Sequence, residues 1–474
     1  MFTLTGPKTQ SVENIGKLVE AGMNVVRMNF SHGDHAFHLK TITAIRAYLA
    51  QRKTPKHVAI LLDTKGPEIR CLENPSQEIP LTAGQTFIFH NDKSRFVDAN
   101  GGWTTYNLAG SVRPGNRILV GDGLIGFEVV KVDQETGEVV TRVENDGLLG
   151  DTKGVNLPAV EVLLPAITEK DEKDILFGVQ QKVDFIAASF IRKASDVHEI
   201  RKLLGDSRIK IISKIENQEG LNNFDEILEA SDGVMVARGD LGVEIPVEQV
   251  ARAQKMMIRK CNFAGKPVIT ATQMLESMIV NPRPTRAEAT DVANAVLDGT
   301  DCVMLSGETA KGSHPVAAVE TMARICREAE ADINYADLYP TLRRHTQVPT
   351  GTAEGIASCA VKTSWDVHAA LIIVLTTTSN TARYISKYRP IAPVLAITSS
   401  DQAARQCSTL RGIYPMLVPS MKDTENVIHR AMLWGVKNGM AQAGDPVVVT
   451  SGIITEVSGQ TNLLRVMKCP GFDI

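Results

Sequence analysis

Short apolar runs recur along the first two thirds of the chain, each followed by a polar or glycine-rich corner and then by a helical pattern. Eight of these runs lie at residues 1–4, 25–28, 58–62, 185–188, 209–212, 233–236, 268–270 and 302–305. Runs of this length that are rich in Val and Ile and do not alternate with polar residues are typical of parallel strands buried on both faces. Eight such strands alternating with helices predict an α/β chain whose first part is a closed (β/α)₈ TIM barrel.

Two stretches depart from this alternation. Between residues 62 and 185, short strand-like segments such as 115–123 and 138–143 are cut by Gly and Asp turns, which predicts a small all-β barrel inserted in a loop of the larger barrel. Polar residues 341–351 end a helix predicted over 317–337. A helix over 354–364 and strands at residues 370–375, 394–397, 416–418, 447–449 and 464–467 then predict an α/β domain with a mostly parallel sheet.

The chain is therefore divided into three predicted parts. The (β/α)₈ barrel takes residues 1–65 and 160–340, the inserted β-barrel takes 66–159, and the C-terminal α/β domain takes 341–474. A length of 474 residues agrees with several domains, because a single core rarely grows so large.

Composition narrows the class of protein. Apolar residues make up 43% of the chain, charged residues 22%, and the net charge is −3 without a basic tail, which argues against nucleic acid as a main partner. No apolar stretch is long enough to span a membrane and the N-terminus lacks a signal-peptide pattern. The seven cysteines are scattered singly, as reduced thiols in a cytoplasm would be.

Candidate chemistry follows the predicted strands, because the active sites of such barrels lie at the carboxyl ends of the strands. Polar or charged groups follow seven of the eight, within residues 27–33, 63–70, 189–192, 213–217, 237–240, 270–273 and 306–308. Glu216 and Asp240 end adjacent strands, so their carboxylates could share Mg²⁺ or Mn²⁺. Lys214 and Arg27 supply the positive charge that a transferring phosphoryl group requires. The backbone N–H groups of Gly239 and Asp240 could bind a carboxylate.

Each of these residues also has an ordinary explanation. A lone Asp240 is more often a helix cap than a metal ligand, a lone Lys214 is more often a salt-bridge partner, and a lone His32 is more often a turn residue. The functional interpretation depends on the coincidence of charged groups at one end of the barrel.

Several longer motifs resemble the pyruvate kinase family in order and spacing, over nearly the whole chain. They lie at residues 28–33, 63–70, 212–217, 236–242, 271–275 and 281–288. The pattern is most similar to the bacterial members that sugar phosphates regulate. The resemblance implies a magnesium- and potassium-dependent enzyme that transfers a phosphoryl group from phosphoenolpyruvate to ADP, giving pyruvate and ATP. It also implies a homotetramer.

The resemblance also implies roles for individual residues. Glu216 and Asp240 match the divalent-metal ligands, Lys214 and Arg27 match the residues that bind and stabilise the phosphoryl group, and Gly239, Asp240 and Thr272 match substrate-binding positions. The monovalent-cation site matches Asn29, Ser31, Asp63 and Thr64, and Glu68 stands where potassium-dependent members carry Glu and potassium-independent members carry Lys. The nucleotide side matches Asn29, His32, Arg70 and Lys153. Protonation of the enolate is expected through water near Thr272 and Ser306, with the donor left open.

A second ligand site is expected in the C-terminal domain. Hydroxyl groups and backbone N–H groups between a strand and a helix suit a phosphate, although a simple helix cap explains the same pattern equally well. In the family this loop binds the phosphate of a sugar-phosphate activator, and here it consists of Thr376, Thr377, Thr378, Ser379, Asn380 and Thr381. Because Ser379 and Asn380 replace glycine-rich residues of one common bacterial version, both fructose 1,6-bisphosphate and a sugar monophosphate stay open as the activator.

Two rival functions remain at this stage. Barrels of the phosphoenolpyruvate mutase and citrate-lyase-like families also place Glu and Asp at adjacent strand ends around Mg²⁺, but they lack a nucleotide partner and usually lack the inserted domain. A catalytically inactive sugar-phosphate sensor is the other possibility. It predicts damage among Lys214, Glu216, Asp240 and Thr272, and all four are present.

Overall fold

Eight parallel strands close into a barrel in the computed structural model, which describes residues 1–71, 78–95, 98–452, 459 and 461–471. Numbered in chain order, the barrel strands are β1 (Phe2–Leu4), β2 (Val25–Asn29), β3 (Ala59–Asp63), β13 (Phe185–Ala188), β14 (Lys210–Ile215), β15 (Gly233–Ala237), β16 (Val268–Ala271) and β17 (Cys302–Leu305). They pair in the order β1-β17-β16-β15-β14-β13-β3-β2. The predicted TIM barrel is confirmed, with every strand within a few residues of its predicted position.

The barrel holds together because its strands bury apolar side chains on both faces. The inner face is filled by a cluster that includes Phe2, Leu61, Phe185, Ile212, Met235 and Ile269. The outer face packs against the helices of this part of the chain, which are α1 (Val12–Ala21), α2 (His35–Gln51), α3 (Glu169–Gln180), α4 (Ala194–Leu204), α5 (Gln218–Asn222), α6 (Phe224–Ala230), α7 (Arg238–Glu244), α8 (Val247–Ala264), α9 (Arg286–Leu297), α10 (Gly307–Ala310) and α11 (Pro315–Ala331). A short 3₁₀ helix at Glu276–Ile279 lies among them.

The segment between β3 and α3 is all-β, as predicted. Its strands are β4 (Ile69–Cys71), β5 (Ile79–Leu81), β6 (Thr86–His90), β7 (Gly101–Trp103), β8 (Arg117–Val120), β9 (Ile125–Asp133), β10 (Glu138–Val143), β11 (Gly147–Leu149) and β12 (Lys153–Asn156), with a 3₁₀ turn at Leu108–Gly110. Seven of these strands form one sheet in the order β4-β12-β8-β9-β10-β6-β7, and β5 pairs with β11. Its two end strands are brought together by an antiparallel bridge between Cys71 of β4 and Thr104, directly after β7, and by Thr105 N, which donates to the Arg70 carbonyl at 2.8 Å, as expected of a small barrel. Phe87, Phe89 and Phe127 pack together in its core.

The C-terminal part is an α/β layer with a mostly parallel sheet, as predicted. Its strands are β18 (Leu371–Leu375), β19 (Val394–Thr398), β20 (Ile413–Leu417), β21 (Pro446–Gly452) and β22 (Thr461–Lys468), in the order β20-β19-β18-β21-β22 with only β22 antiparallel. Its helices are α12 (Tyr335–Arg344), α13 (Thr352–Asp366), α14 (Asn380–Lys387), α15 (Asp401–Gln406) and α16 (Thr424–Lys437), with a 3₁₀ turn at Cys407–Thr409.

The helix predicted over 317–337 is wrong in its extent. Helix α11 ends at Ala331, and α12 begins at Tyr335 after an Asn334 cap, whose side chain accepts from Asp337 N. Leu342 of α12 is buried in the core of the C-terminal part, and Leu338 packs against it. Because α12 packs with that core, the break in the chain lies at residues 332–334 and not at residue 340.

Buried ion pairs join the C-terminal part to the amino-terminal end of the barrel. Arg405 Nε lies 3.0 Å from both carboxylate oxygens of Asp184, and Arg389 pairs with Asp301 at 2.6 Å. Asp184 is fully buried and its Oδ2 also accepts from Ile60 N at 2.8 Å. In barrels of this type the amino-terminal end serves stability, which fits the role of these contacts.

We expect the difference in thermal unfolding midpoint between the Asp184→Asn variant and wild type to shift in favour of the variant as the pH rises from 4.5 to 7. Burial raises the pKa of Asp184 to about 6, against the pull of Arg405. The unfolded carboxyl titrates near pH 3.9, so between about pH 4 and pH 6 the folded state binds more protons and loses stability as the pH rises, on the order of 1–3 kcal/mol. Asn does not titrate, so the difference in midpoint between variant and wild type should grow through this window. Parallel midpoints from pH 4.5 to pH 7 would contradict the assignment.

In the part of the chain that the structure describes, no helix has the length and apolar character needed to cross a bilayer.

Candidate active site

Lys214 lies at the centre of the polar groups at the carboxyl end of the barrel. It is the fifth residue of β14, and its side chain is buried because Asp63 of β3 and Glu216 face it from the two sides. Lys214 Nζ lies 3.2 Å from Asp63 Oδ1, 2.9 Å from Glu216 Oε1 and 2.8 Å from Ser189 Oγ, to which it donates. The structure therefore places Lys214 in a network of two ion pairs and one hydrogen bond, which fixes the direction of its side chain.

Asp63 links Lys214 to Arg27. Arg27 Nε donates to Asp63 Oδ2 at 2.5 Å, and both side chains are buried. Burial acts to raise the pKa of Asp63, but Arg27 and Lys214 outweigh it and hold that pKa below its usual value. Burial acts to lower the pKa of Lys214, but Asp63 and Glu216 raise it above its usual value. Lys214 thus stays cationic throughout the physiological range, as an anion-stabilising group must.

Of the predicted divalent-metal ligands, Glu216 follows β14 directly, and Asp240 lies in the first turn of α7, which follows the adjacent strand β15. Glu216 Oε2 accepts from Phe190 N at 2.6 Å, and the buried Oε1 has Lys214 Nζ as its ion-pair partner at 2.9 Å. Burial raises the pKa of Glu216 to about 7, and the negative charge of Asp240 adds to this rise. Two carboxylates whose negative charges act on each other are suited to sharing a hard divalent cation. Among the residues that the structure describes, no three His, Cys, Asp or Glu side chains converge on one point, so two carboxylates would leave the other positions to water and substrate.

Thr272 has a strained backbone at the end of β16. Its φ is +72°, and the next residue, Gln273, has φ +53°, a region that a β-branched residue such as Thr rarely adopts. Thr272 Oγ1 accepts from Gly239 N at 2.7 Å, and Arg238 NH2 donates to the Thr272 carbonyl at 2.7 Å. The Gly239 N–H, predicted to bind a carboxylate, therefore binds Thr272 here. These contacts hold the Thr272 side chain at the rim, half-buried.

Ser306 completes this side of the site. Arg27 NH1 lies 3.5 Å from Ser306 Oγ, and Ser306 N donates to Glu308 Oε2 at 2.7 Å. The backbone N–H of Leu275 donates to the other oxygen of Glu308 at 3.1 Å. Glu308 is buried and ties the loops that follow β16 and β17 to each other.

The four residues predicted for the monovalent cation lie on or directly after β2 and β3, two paired strands. Asn29 pairs with Asp63 in the register of these strands. Asn29 Oδ1 accepts from Ser31 N at 3.0 Å, and the Thr64 carbonyl accepts from Ser189 Oγ at 2.7 Å. The set offers a carboxylate, an amide, a hydroxyl and a carbonyl, all hard oxygen ligands that suit K⁺.

The predicted nucleotide residues lie partly on the barrel and partly on the inserted sheet. Arg70 of β4 and Lys153 of β12 are on neighbouring strands, with Gly154 opposite Arg70. Arg70 donates to Glu68 Oε2 and to the Thr152 carbonyl, each at 2.9 Å through Nε and NH1. A cleft of about 420 Å³ separates this sheet from the barrel rim and is lined by Glu68, Arg70, Asn156, Phe190, Arg192 and Asp240, among others. His32 is exposed at the rim, on the loop after β2.

The predicted effector loop lies at the opposite end of the barrel from this cleft. Residues 376–379 connect β18 to α14, which begins at Asn380 and contains Thr381. Ser379 has φ +65° and accepts a hydrogen bond from Lys210 Nζ at 2.7 Å. Lys210 is the first residue of β14, four residues before Lys214. The loop therefore contacts the strand that carries Lys214, about 13 Å from that residue along the strand.

Three residues with clear roles in the site were missed by sequence reasoning. Ser189 bridges Lys214, Asp63 and the Thr64 carbonyl, Glu308 holds two rim loops, and Arg238 holds the strained Thr272. All three follow predicted strands directly. A Ser, Glu or Arg at such a position has no type-specific signature, so only the three-dimensional contacts distinguish it from a solvated residue.

Comparison with known proteins gives consistent matches along the chain. The family model described as pyruvate kinase, barrel domain, matches residues 1–319, and the one described as pyruvate kinase, alpha/beta domain, matches residues 354–467. A pyruvate kinase of Dictyostelium discoideum is 51% identical, over 98% of this chain and 92% of that protein. A pyruvate kinase of Geobacillus stearothermophilus is 48% identical, over 97% of this chain and 78% of that protein.

Solved structures agree with these matches. The crystal structure of a pyruvate kinase from Cryptosporidium parvum has a TM-score of 0.95 and 44% identity, over 99% of this chain and 95% of that one. Because eukaryotic and bacterial relatives are about equally similar, identity alone does not assign the chain to the bacterial type expected from its motifs.

Proposed function

The chain belongs to the pyruvate kinase family and is a phosphotransferase that makes pyruvate and ATP from phosphoenolpyruvate and ADP, the last step of glycolysis; on that premise we propose which of its residues carry the reaction. The observation that supports the proposal is the buried network of Lys214 with Arg27, Asp63 and Glu216, next to Asp240. Neither the rival lyase-like function nor the sensor function predicts this network together with a nucleotide-side cleft. Neither of them predicts the family matches.

In the proposed reaction, Arg27 and Lys214 bind the phosphate of phosphoenolpyruvate and neutralise the charge that develops as the phosphoryl group moves to ADP. Both cations are held by Asp63, so they need no reorganisation at the moment of transfer, which is the condition for effective electrostatic stabilisation. Arg70, Lys153, His32 and Asn29 bind the nucleotide from the other side of the cleft. Thr272 and Ser306 border the position where the enolate takes up a proton through water.

Two cations fit the donors present, and we propose that both take part. Glu216 and Asp240 would hold Mg²⁺ or Mn²⁺, and Asn29, Ser31, Asp63 and Thr64 would hold K⁺. When bound, such cations supply Lewis-acid and electrostatic stabilisation of phosphoryl oxygens. The inserted sheet would exclude water by closing over the rim, since water competes with ADP as phosphoryl acceptor.

We expect pyruvate formation from phosphoenolpyruvate to require ADP and Mg²⁺, and to be at least about tenfold faster in K⁺ than in tetramethylammonium, the scale of a lost charge-stabilising group. Glu68→Lys should reduce the K⁺ dependence, because its ammonium group would replace the cation. Glu68→Gln is the matched control: it also removes the ion pair with Arg70 but adds no positive charge, so the K⁺ dependence should persist. Full activity of the wild type without K⁺ would contradict the role of K⁺ but not the assigned reaction. No activity under any condition would contradict the reaction itself.

Regulation and assembly are proposed on the same basis. We propose that residues 376–381 bind the phosphate of a sugar-phosphate activator, that the enzyme is a homotetramer and that it works in the cytoplasm. The seven free thiols agree with a reducing compartment. The three-part division is proposed as barrel, inserted lid at 66–159 and C-terminal domain, with the last boundary moved to residues 332–334 because α12 packs in the C-terminal core.

A further inference from the structure

One buried carboxylate contacts both segments that connect the inserted sheet to the barrel. The chain leaves the barrel after β3 and returns to it just before α3, whose first turn contains Asp171, only 2% exposed. Asp171 Oδ1 accepts from Gly66 N, on the outgoing segment, at 3.0 Å. Asp171 Oδ2 accepts from Thr168 N at 3.0 Å and from Thr168 Oγ1 at 2.6 Å, on the returning segment.

Helix capping accounts for the contacts of only one of the two carboxylate oxygens, Oδ2. Thr168 and Asp171 form a reciprocal capping box, in which Thr168 Oγ1 accepts from Asp171 N at 3.1 Å and Asp171 Oδ2 binds back to Thr168 N. This box leaves Oδ1 of Asp171 with no function in the helix. Its bond to Gly66, 105 residues earlier in the chain, therefore needs a separate explanation.

The outgoing segment is pressed against residues that hold the catalytic groups. Gly66 has φ +74°, and a Cβ atom there would lie 2.8 Å from Ser189 Cβ and 2.8 Å from Phe190 Cδ2. Ser189 accepts from Lys214, and Phe190 N donates to Glu216. A displacement of Gly66 would therefore also displace Ser189 and Phe190, which orient Lys214 and Glu216.

The returning segment is anchored to the barrel as well. The buried guanidinium of Arg192 donates to the carbonyl groups of Val162, Leu164 and Pro165 at 2.7, 2.5 and 3.3 Å. The inserted sheet itself touches the barrel rim where Asn156 Nδ2 donates to Glu244 Oε1 at 2.8 Å. We call the two connecting segments, between the contacts of Arg192 and the contact of Asn156 with Glu244, the hinge of the sheet.

We propose that Asp171 is the positioning residue of this hinge: its two oxygens hold the outgoing and returning segments together, so that the inserted sheet closes with Arg70 aligned over the rim. This rests on the proposed function, in which Arg70 binds the nucleotide. Three donors from two segments meet on one carboxylate, and a side chain with a single acceptor oxygen cannot serve both segments.

The test compares Asp171→Ala and Asp171→Asn with Thr168→Ala. Asp171→Ala should raise the KM for ADP about 10- to 100-fold, the cost of misplacing a binding group by about an ångström, with a smaller change in the KM for phosphoenolpyruvate. Asp171→Asn keeps one acceptor oxygen and should give an intermediate KM. Thr168→Ala removes the hydroxyl and weakens the helix cap, which costs about 1 kcal/mol of stability. It leaves the backbone donors Thr168 N and Gly66 N, which still join the two segments on Asp171, so its KM for ADP should stay within about twofold of wild type.

Hydrogen exchange separates this proposal from the proposed function. Amides of residues 64–68 should exchange faster in both Asp171 variants than in wild type, and at the wild-type rate in Thr168→Ala. Equal effects of Thr168→Ala and Asp171→Ala on exchange and on the KM for ADP would overturn the hinge role and leave capping alone. Wild-type pyruvate formation tests the proposed function by itself, whatever the exchange rates show.

Discussion

Lys214→Met should lower the turnover of pyruvate formation by at least about 10²- to 10³-fold, the usual scale for losing one preorganised charge-stabilising group. The ammonium group is fixed by Asp63, Glu216 and Ser189, and its pKa lies above the usual value, so wild type never loses this charge near neutral pH. Met has a similar length and keeps the buried stem packed. Asp63 retains Arg27 as a partner, and so the fold should persist.

The control for Lys214→Met is Lys266→Met, which removes a partly buried lysine at the opposite end of the barrel. Lys266 Nζ donates to the carbonyl groups of Leu228, Glu229 and Ser231 at 2.7–2.8 Å, where it closes the end of α6. Its loss should lower the thermal unfolding midpoint and leave turnover nearly unchanged. Turnover is measured by pyruvate release at saturating substrates, and the fold by circular dichroism. Near-normal turnover of Lys214→Met would remove Lys214 from the mechanism.

Periodicity was sufficient to predict the barrel because its strands are buried on both faces, and each forms a continuous apolar run. The extent of the helix predicted over 317–337 was wrong because the polar stretch 341–351 suggested an interruption there, whereas the chain breaks at residues 332–334 and helix α12 continues through Pro340 to Arg344. Only tertiary packing of Leu342 in the C-terminal core decides which part of the chain this helix joins. Local pattern cannot contain that information.

The same limit applies to the site. The common location of Lys214, Glu216, Asp240 and Arg27 at one end of the barrel could be predicted because charged groups after buried strands converge in any parallel barrel. Ser189 and Asp171 were missed because a serine after a strand and an acid in a capping box are ordinary local features. Their functional contacts, from Ser189 to Asp63 and from Asp171 to Gly66, span 126 and 105 residues of sequence. Such contacts form only when the barrel closes, so the residues nearby in sequence do not predict them.

Glu216→Gln should weaken divalent-cation binding and lower pyruvate formation by about 10²-fold or more at low Mg²⁺, because a Lewis acid contributes several kcal/mol to charge stabilisation. The amide oxygen can still accept from Phe190 N, as Glu216 Oε2 does, so the backbone of the rim should not move. The lost group is the charge at the buried Oε1 position, whose ion-pair partner in the protein is Lys214 Nζ at 2.9 Å. Excess Mg²⁺ should restore part of the activity, since Asp240 remains.

Glu308→Gln provides the matched control for Glu216→Gln, because Glu308 is also a buried carboxylate at the rim. Its two oxygens are both occupied by backbone donors, Leu275 N and Ser306 N, so it holds loops and has no free oxygen for a cation. The control should lower stability while leaving the Mg²⁺ midpoint of activity and Mn²⁺ binding by calorimetry near wild-type values. A Glu216→Gln variant with an unchanged Mg²⁺ midpoint would show that Glu216 Oε1 serves only as the ion-pair partner of Lys214, and the cation would then need ligands other than this pair of carboxylates.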